Sequence, residues 1–205
     1  MQGEVRSPAR RHVLLGTLLA PALAASASTS ASTSTSTSTS TSTPGSPAIA
    51  SAAAAAGPAP VPWPRSKATP ALALPALEGP LVSLAALRGQ PVLLNFWASW
   101  CEPCRAEMPS LELLASRHEA DGLRVLAINF RETDAAVRRF LEQTPFSLPV
   151  LRDRDGGAAL AFGVRIFPSS VVIGRHGRAL FSVTGEVDWT GPEARRWIVP
   201  VLSSR

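Results

Sequence analysis

The sequence predicts an α/β domain, a mixed β-sheet flanked by helices, behind a disordered N-terminal region. Three observations predict it. Two continuous apolar runs, Pro91–Trp97 and Leu123–Asn129, are each followed by a stretch with apolar residues at helical spacing. Two further runs, Ser169–Ile173 and Ala179–Val183, flank Arg175-His-Gly-Arg178 as a hairpin turn would, which makes the sheet mixed. Residues 26–75 hold too few large apolar side chains to offset the entropy of ordering them.

The elements follow in order. Arg88-Gly-Gln precedes the first buried strand, Pro91–Trp97, and a short strand or hairpin is expected before it. From Arg105 to His118, Met108, Leu111, Leu114 and Ala115 share a helix face, and Asp121-Gly122 closes the helix. Leu123–Asn129 is the second buried strand. Thr133 and Asp134 are N-cap types before Ala135–Gln143, where Val137, Phe140 and Leu141 lie on one side. The terminal hairpin is followed by a helix opened by Thr190 and Pro192 and ending near Leu202, with Pro200 close to its end. The order is β-α-β-α-β-β-α, with no repeat at a period of 20 to 50 residues.

The N-terminus reads as an export signal or an uncleaved anchor over residues 1–27. Arg10 and Arg11 precede an apolar run, Val13–Ala25, and small residues follow at Ala22-Leu23-Ala24 and Ala25-Ser26-Ala27. The run is about 13 residues, short of the ~20 that span a bilayer as a helix. Residues 28–75, first Ser/Thr-rich and then Pro/Ala-rich, read as a disordered linker, and 76–205 as the folded domain. The net charge of +5 does not mark a nucleic-acid binder: residues 76–205 carry 15 Arg against 14 Asp plus Glu. The excess lies upstream, at Arg6, Arg10, Arg11, Arg65 and Lys67.

The chain has two cysteines, Cys101 and Cys104, in the stretch NFWASWCEPCRAEMPSL. A structural disulfide there would close a very short loop and contribute only about 2 kcal/mol. A structural zinc site needs four ligands, whereas no third cysteine exists and His118 and His176 lie far apart; a copper site shared with a partner stays open. A redox centre has more support. The motif follows a buried strand and opens a helix, so the dipole favours a Cys101 thiolate. Cys101 is then the attacking nucleophile and Cys104, one turn in, the resolving thiol. Trp100 covers one side, and Pro103 suits a first helical turn.

VLLNFWASWCEPCRAEMPSL resembles the active-site strand and helix of the thioredoxin superfamily, in its exported TlpA/ResA-like branch. Every fixed position of the pattern Asn-Phe-Trp-Ala-x-Trp-Cys-x-Pro-Cys-x-x-Glu-x-Pro is met from Asn95 to Pro109. Leu77–Gly89 resembles that branch's opening hairpin and helix, LRVLAINFRE its second parallel strand, and FGVRIFPSSVVIGRHGR its cis-proline strand and hairpin.

The resemblance implies a thioredoxin-like fold over 76–205, a redox-active Cys101–Cys104 disulfide, no cofactor and no metal. It implies that Pro168 is the cis-proline facing the disulfide, and that Glu107 is a buried carboxylate handling protons for the dithiol. Substrate would meet Trp100, Glu102, Pro103 and Phe167. The chain departs from the branch at Ile166 and Ser169, where Gly and Thr are usual, so the rim that meets a partner differs. The implied activity is protein-disulfide reduction in the periplasm or another extracytoplasmic space. Apocytochrome c or metal-site assembly proteins would be substrates, and a membrane donor of the CcdA/DsbD type would return electrons. A disulfide-forming oxidase, a non-enzymatic copper-binding assembly factor and a peroxidase stand as alternatives; the last lacks its usual Pro-x-x-x-Thr-x-x-Cys context.

Overall fold

The computed structural model describes residues 57–204. Four strands and three helices stand where the sequence places them. They are β4 (Val92–Trp97), α1 (Glu102–Arg117), β5 (Arg124–Phe130), α2 (Asp134–Gln143), β7 (Ser169–Ile173), β8 (Ala179–Thr184) and α4 (Pro192–Ser203). Helix α1 begins at Glu102, with Pro103 in its first turn as the cysteine motif implied, and the Cys101 side chain serves as its N-cap. The short hairpin expected before Pro91 is β2 (Ala73–Pro75) with β3 (Leu81–Ser83), followed by a single 3-10 turn, Leu84–Leu87, that Ser83 caps.

Strand β6 (Val150–Asp153) and helix α3 (Gly157–Phe162) were not foreseen. Half of β6 is charged, which hides it from a search for apolar runs, yet all four residues are buried. Arg152 is 1 % exposed; its guanidinium donates to the Asp134 carboxylate and the Glu132 carbonyl. The Asp153 carboxylate accepts from the backbone amides of Ala158 (3.0 Å) and Ala159 (2.8 Å), supplying α3 with the cap its glycine N-terminus lacks. Helix α3 has only six residues, too few for a 3.6-residue period to register.

The expected linker boundary is also corrected. Residues 57–75 belong to the fold: β1 (Val61–Pro62) pairs with β8, and Trp63 and Leu72 are buried. Pro-rich composition signals a linker only when nothing anchors it. Here proline stands on an edge strand, where no ladder donor is needed, and the Trp63 indole lies 6.1 Å from the Phe162 ring. Thr69 Oγ1 accepts from the Ala179 amide at 2.7 Å, fixing the start of β8. Thr69→Ala is therefore expected to lower stability by about 1 kcal/mol in urea unfolding, whereas a residue in a free linker would show no change. The expectations for residues 1–27 and 28–56 lie outside the described residues.

The main sheet runs β1-β8-β7-β4-β5-β6, with β4, β5 and β6 parallel and β7, β8 and β1 antiparallel to their neighbours. Alternation along each strand divides the core in two. Leu93, Trp97, Val125, Ala127, Val172 and Val183 face a layer built by α1, α2 and α4. Val92, Leu94, Phe96, Leu126, Ile128 and Val171 face the opposite layer, built by α3, Trp63 and Leu72. Strand β4, paired on both edges and fully buried, is the rigid support that ends at the two cysteines. Among the described residues no helix is long and apolar enough to cross a membrane.

Candidate active site

The cysteines sit where β4 gives way to α1. Cys101 is the N-cap residue, its Sγ accepting from the Cys104 amide at 3.2 Å, so the sulfur lies against the unsatisfied donors of the helix start. Cys101 and Cys104 form a disulfide with Cα atoms 5.3 Å apart. Cys101 is 5 % exposed and Cys104 fully enclosed, so an incoming thiol or disulfide can meet only the first sulfur. Pro103 occupies the first turn of α1 and is exposed. Glu102 is solvent-facing and pairs with Arg105 at 3.2 Å, an arrangement in which water and the guanidinium screen its charge.

Glu107 lies one turn beyond Cys104 on the same helix and is 2 % exposed. Its Oε1 accepts from Trp189 Nε1 at 2.6 Å and from the Val187 amide at 3.3 Å; its Oε2 accepts from Asn95 Nδ2 at 3.0 Å. Asn95, at mid-β4, also donates to Ser170 Oγ on β7 at 3.1 Å. Burial pushes the carboxyl up from 4.5 to about 7, against the pull of the Trp189, Asn95 and Val187 hydrogen bonds, and the negative charge of Glu186 adds to the rise. A carboxyl with that affinity exchanges its proton readily at neutral pH.

Pro168 is buried and follows a cis peptide bond at Phe167-Pro168, immediately before β7. The Phe167 ring meets Trp100 edge-on at 5.9 Å and Phe130 at 4.8 Å, and Trp100 is two-thirds exposed. The structure therefore brings the loop before Pro168 against the loop that carries Cys101. Ile166, 62 % exposed, enlarges the apolar rim.

Sequence reasoning missed the residues that fix the cysteine loop from the side. The Glu132 carboxylate accepts from the Ser99 amide at 2.8 Å, the Ser99 hydroxyl and Asn129 Nδ2 at 2.6 Å. It thus ties the segment before Cys101 to the turn after β5. Trp189 was also missed as a partner of Glu107. No local pattern signals either contact, since the partners are 33 and 82 residues apart.

His118 ends α1, pairing with Asp121 at 2.8 Å, about 25 Å from Cys101 at the helical rise per residue. His176 lies in the β7–β8 turn. Among the described residues no group of three or more His, Cys, Asp or Glu is placed to hold a metal ion.

A model of the AhpC/TSA family matches residues 66–180, more than half of the chain. The chain belongs to that family. It is 34 % identical over 120 residues to the thiol-disulfide oxidoreductase ResA of Bacillus thuringiensis subsp. konkukian, covering 58 % of this chain and 69 % of that one. It is 38 % identical over 111 residues to the thioredoxin-like protein YneN of Bacillus subtilis, covering 53 % of this chain and 64 % of that one. A crystal structure from Chlorobium tepidum, provisionally designated a thiol:disulfide interchange protein DsbE, is similar with a TM-score of 0.63 and 31 % identity, covering 67 % of this chain and 96 % of that one. The fold of this AhpC/TSA-family chain is thioredoxin-like, as the sequence resemblance implied.

Proposed function

We propose that this thiol-disulfide oxidoreductase of the ResA/DsbE type reduces disulfides in other proteins outside the cytoplasm. The observation that carries the reading is the asymmetry of the cysteine pair: Cys101 keeps a small accessible surface at a helix N-terminus, whereas Cys104 is fully enclosed, one helical turn before the buried Glu107. In the reduced chain the Cys101 thiolate attacks one sulfur of the substrate disulfide. A mixed disulfide forms and the first substrate thiolate leaves. Glu107 takes the Cys104 proton, and the Cys104 thiolate attacks Cys101 Sγ, expelling the second substrate thiolate. Two electrons pass to the substrate and the Cys101–Cys104 disulfide remains.

Trp100, Phe167 and Pro168 form the face on which the substrate strand lies, with Pro103 and Glu102 at its rim. The family likeness and the export-type N-terminus support apocytochrome c, with its Cys-x-x-Cys-His site, as substrate, and thiols of metal-site assembly proteins as a related class. Recharging in an oxidising compartment calls for a membrane dithiol donor of the CcdA/DsbD type. A signal peptide or N-terminal anchor keeps the domain on that side of the membrane.

Incubating the reduced chain with an oxidised Cys-x-x-Cys-His peptide tests this reading. Stoichiometric appearance of peptide thiols with loss of the chain's own thiols is expected. Transfer in the opposite direction, oxidised chain to reduced peptide, would identify a disulfide-forming oxidase instead.

A further inference from the structure

We infer that Trp189 is a positioning residue for the dithiol centre, its indole N–H fixing the Glu107 carboxylate one helical turn from Cys104. Trp189 lies between β8 and α4, is fully buried, and donates to Glu107 Oε1 at 2.6 Å, the shortest of the three hydrogen bonds that carboxylate accepts. The indole is itself held. Its backbone amide donates to Ser110 Oγ at 3.2 Å, the Ser110 hydroxyl shares its one proton between the Glu107 carbonyl at 2.8 Å and the Val187 carbonyl at 3.2 Å, and Trp197 of α4 packs on the indole at 6.4 Å. Segment 187–189 is thus laced to α1 at Glu107 and at Ser110, one turn apart on that helix.

The groups facing Glu107 are few. Helix α1 presents Cys104; the segment before Trp189 presents Glu186, whose charge opposes ionisation of Glu107. Strands β4 and β7 present the uncharged Asn95 and Ser170. Asp188 is exposed and engaged with Thr190. The Trp189 indole is the strongest local donor favouring the ionised carboxylate, and by holding Oε1 it leaves Oε2 to Asn95 of β4. The inference rests on the proton-handling role proposed for Glu107.

The test uses the full-length oxidised chain, in which the cysteines do not titrate. In the wild type the Trp189 indole N–H resonance should shift with pH around a midpoint near about 7, and Glu107→Gln should flatten that shift. In Trp189→Phe the Glu107 carboxyl carbon should titrate about one pH unit higher, while Trp197→Phe, which alters the same aromatic contact, leaves it in place. A pH-independent indole resonance, or an unmoved carboxyl midpoint in Trp189→Phe, overturns the inference. The pH profile of thiol–disulfide exchange, measured on the reduced chains, should shift in parallel with the carboxyl. If the carboxyl midpoint moves and the exchange profile does not, Trp189 positions Glu107 as stated, and the proton-handling role of Glu107 falls.

Discussion

Cys101→Ser is expected to reduce exchange with protein disulfides to the uncatalysed background, while Cys104→Ser retains the first chemical step and accumulates a mixed disulfide. The difference follows from exposure. Cys101 Sγ sits at the start of α1 with a small accessible surface, and Cys104 has none. With Cys101 gone, the remaining sulfur is enclosed and cannot be reached by a folded partner. With Cys104 gone, the Cys101 thiolate attacks but nothing resolves the adduct. Non-reducing electrophoresis against an oxidised Cys-x-x-Cys-His peptide reads both variants. A trapped adduct through Cys104 in the Cys101→Ser chain would reverse the assignment of roles.

The second large effect is a pH-dependent loss of stability carried by Glu107. Its carboxyl titrates near about 7 in the folded chain against 4.5 as a free side chain. Between those values the folded state keeps a proton that the unfolded state has released, so stability falls as pH rises. The contribution is complete below 4.5 and lost above about 7. At roughly 1.4 kcal/mol per pH unit, the 2.5-unit difference amounts to about 3 kcal/mol. Glu107→Gln removes the titration. Its amide can still accept from Trp189, and Asn95 can turn its Oδ1, buried without a partner, toward the new N–H group. Urea unfolding of the oxidised chains at pH 5 and pH 8 should show the wild type losing about 2.5 kcal/mol more than the variant over that interval, the remainder of the loss lying below pH 5. Parallel losses would show that Glu107 is ionised throughout. The His118–Asp121 pair is common to both chains and cancels in the comparison.

How much of this was legible in the sequence depended on whether a residue's role is local. Strands β4 and β5 bury both faces and read as apolar runs, and β7, also buried, reads from Val171-Val-Ile173 ahead of a turn. Helix α1 and the cysteines it carries announce themselves by spacing and by Pro103. Strand β6 was hidden because half of it is the charged pair Arg152 and Asp153, buried by bonds to Asp134 and the Glu132 carbonyl, 18 and 20 residues away, and to the amides of the short helix α3. Residues 57–75 look like a linker by composition, yet Trp63 and Leu72 seal the α3 side of the sheet. In the site, the burial of Glu107 could be anticipated from a matching motif. Its hydrogen bond to Trp189 could not, because only the folded β8–α4 segment brings the two together.

The reduction potential of the Cys101–Cys104 pair tests the central claim most directly. Equilibrating the full-length chain in dithiol–disulfide buffers and following tryptophan fluorescence gives it, since Trp100 adjoins Cys101 and buried Trp97 and Trp189 share a core layer with both cysteines. A reductant of protein disulfides requires a value below about −220 mV. A value above about −150 mV would make the chain an oxidant and contradict the account.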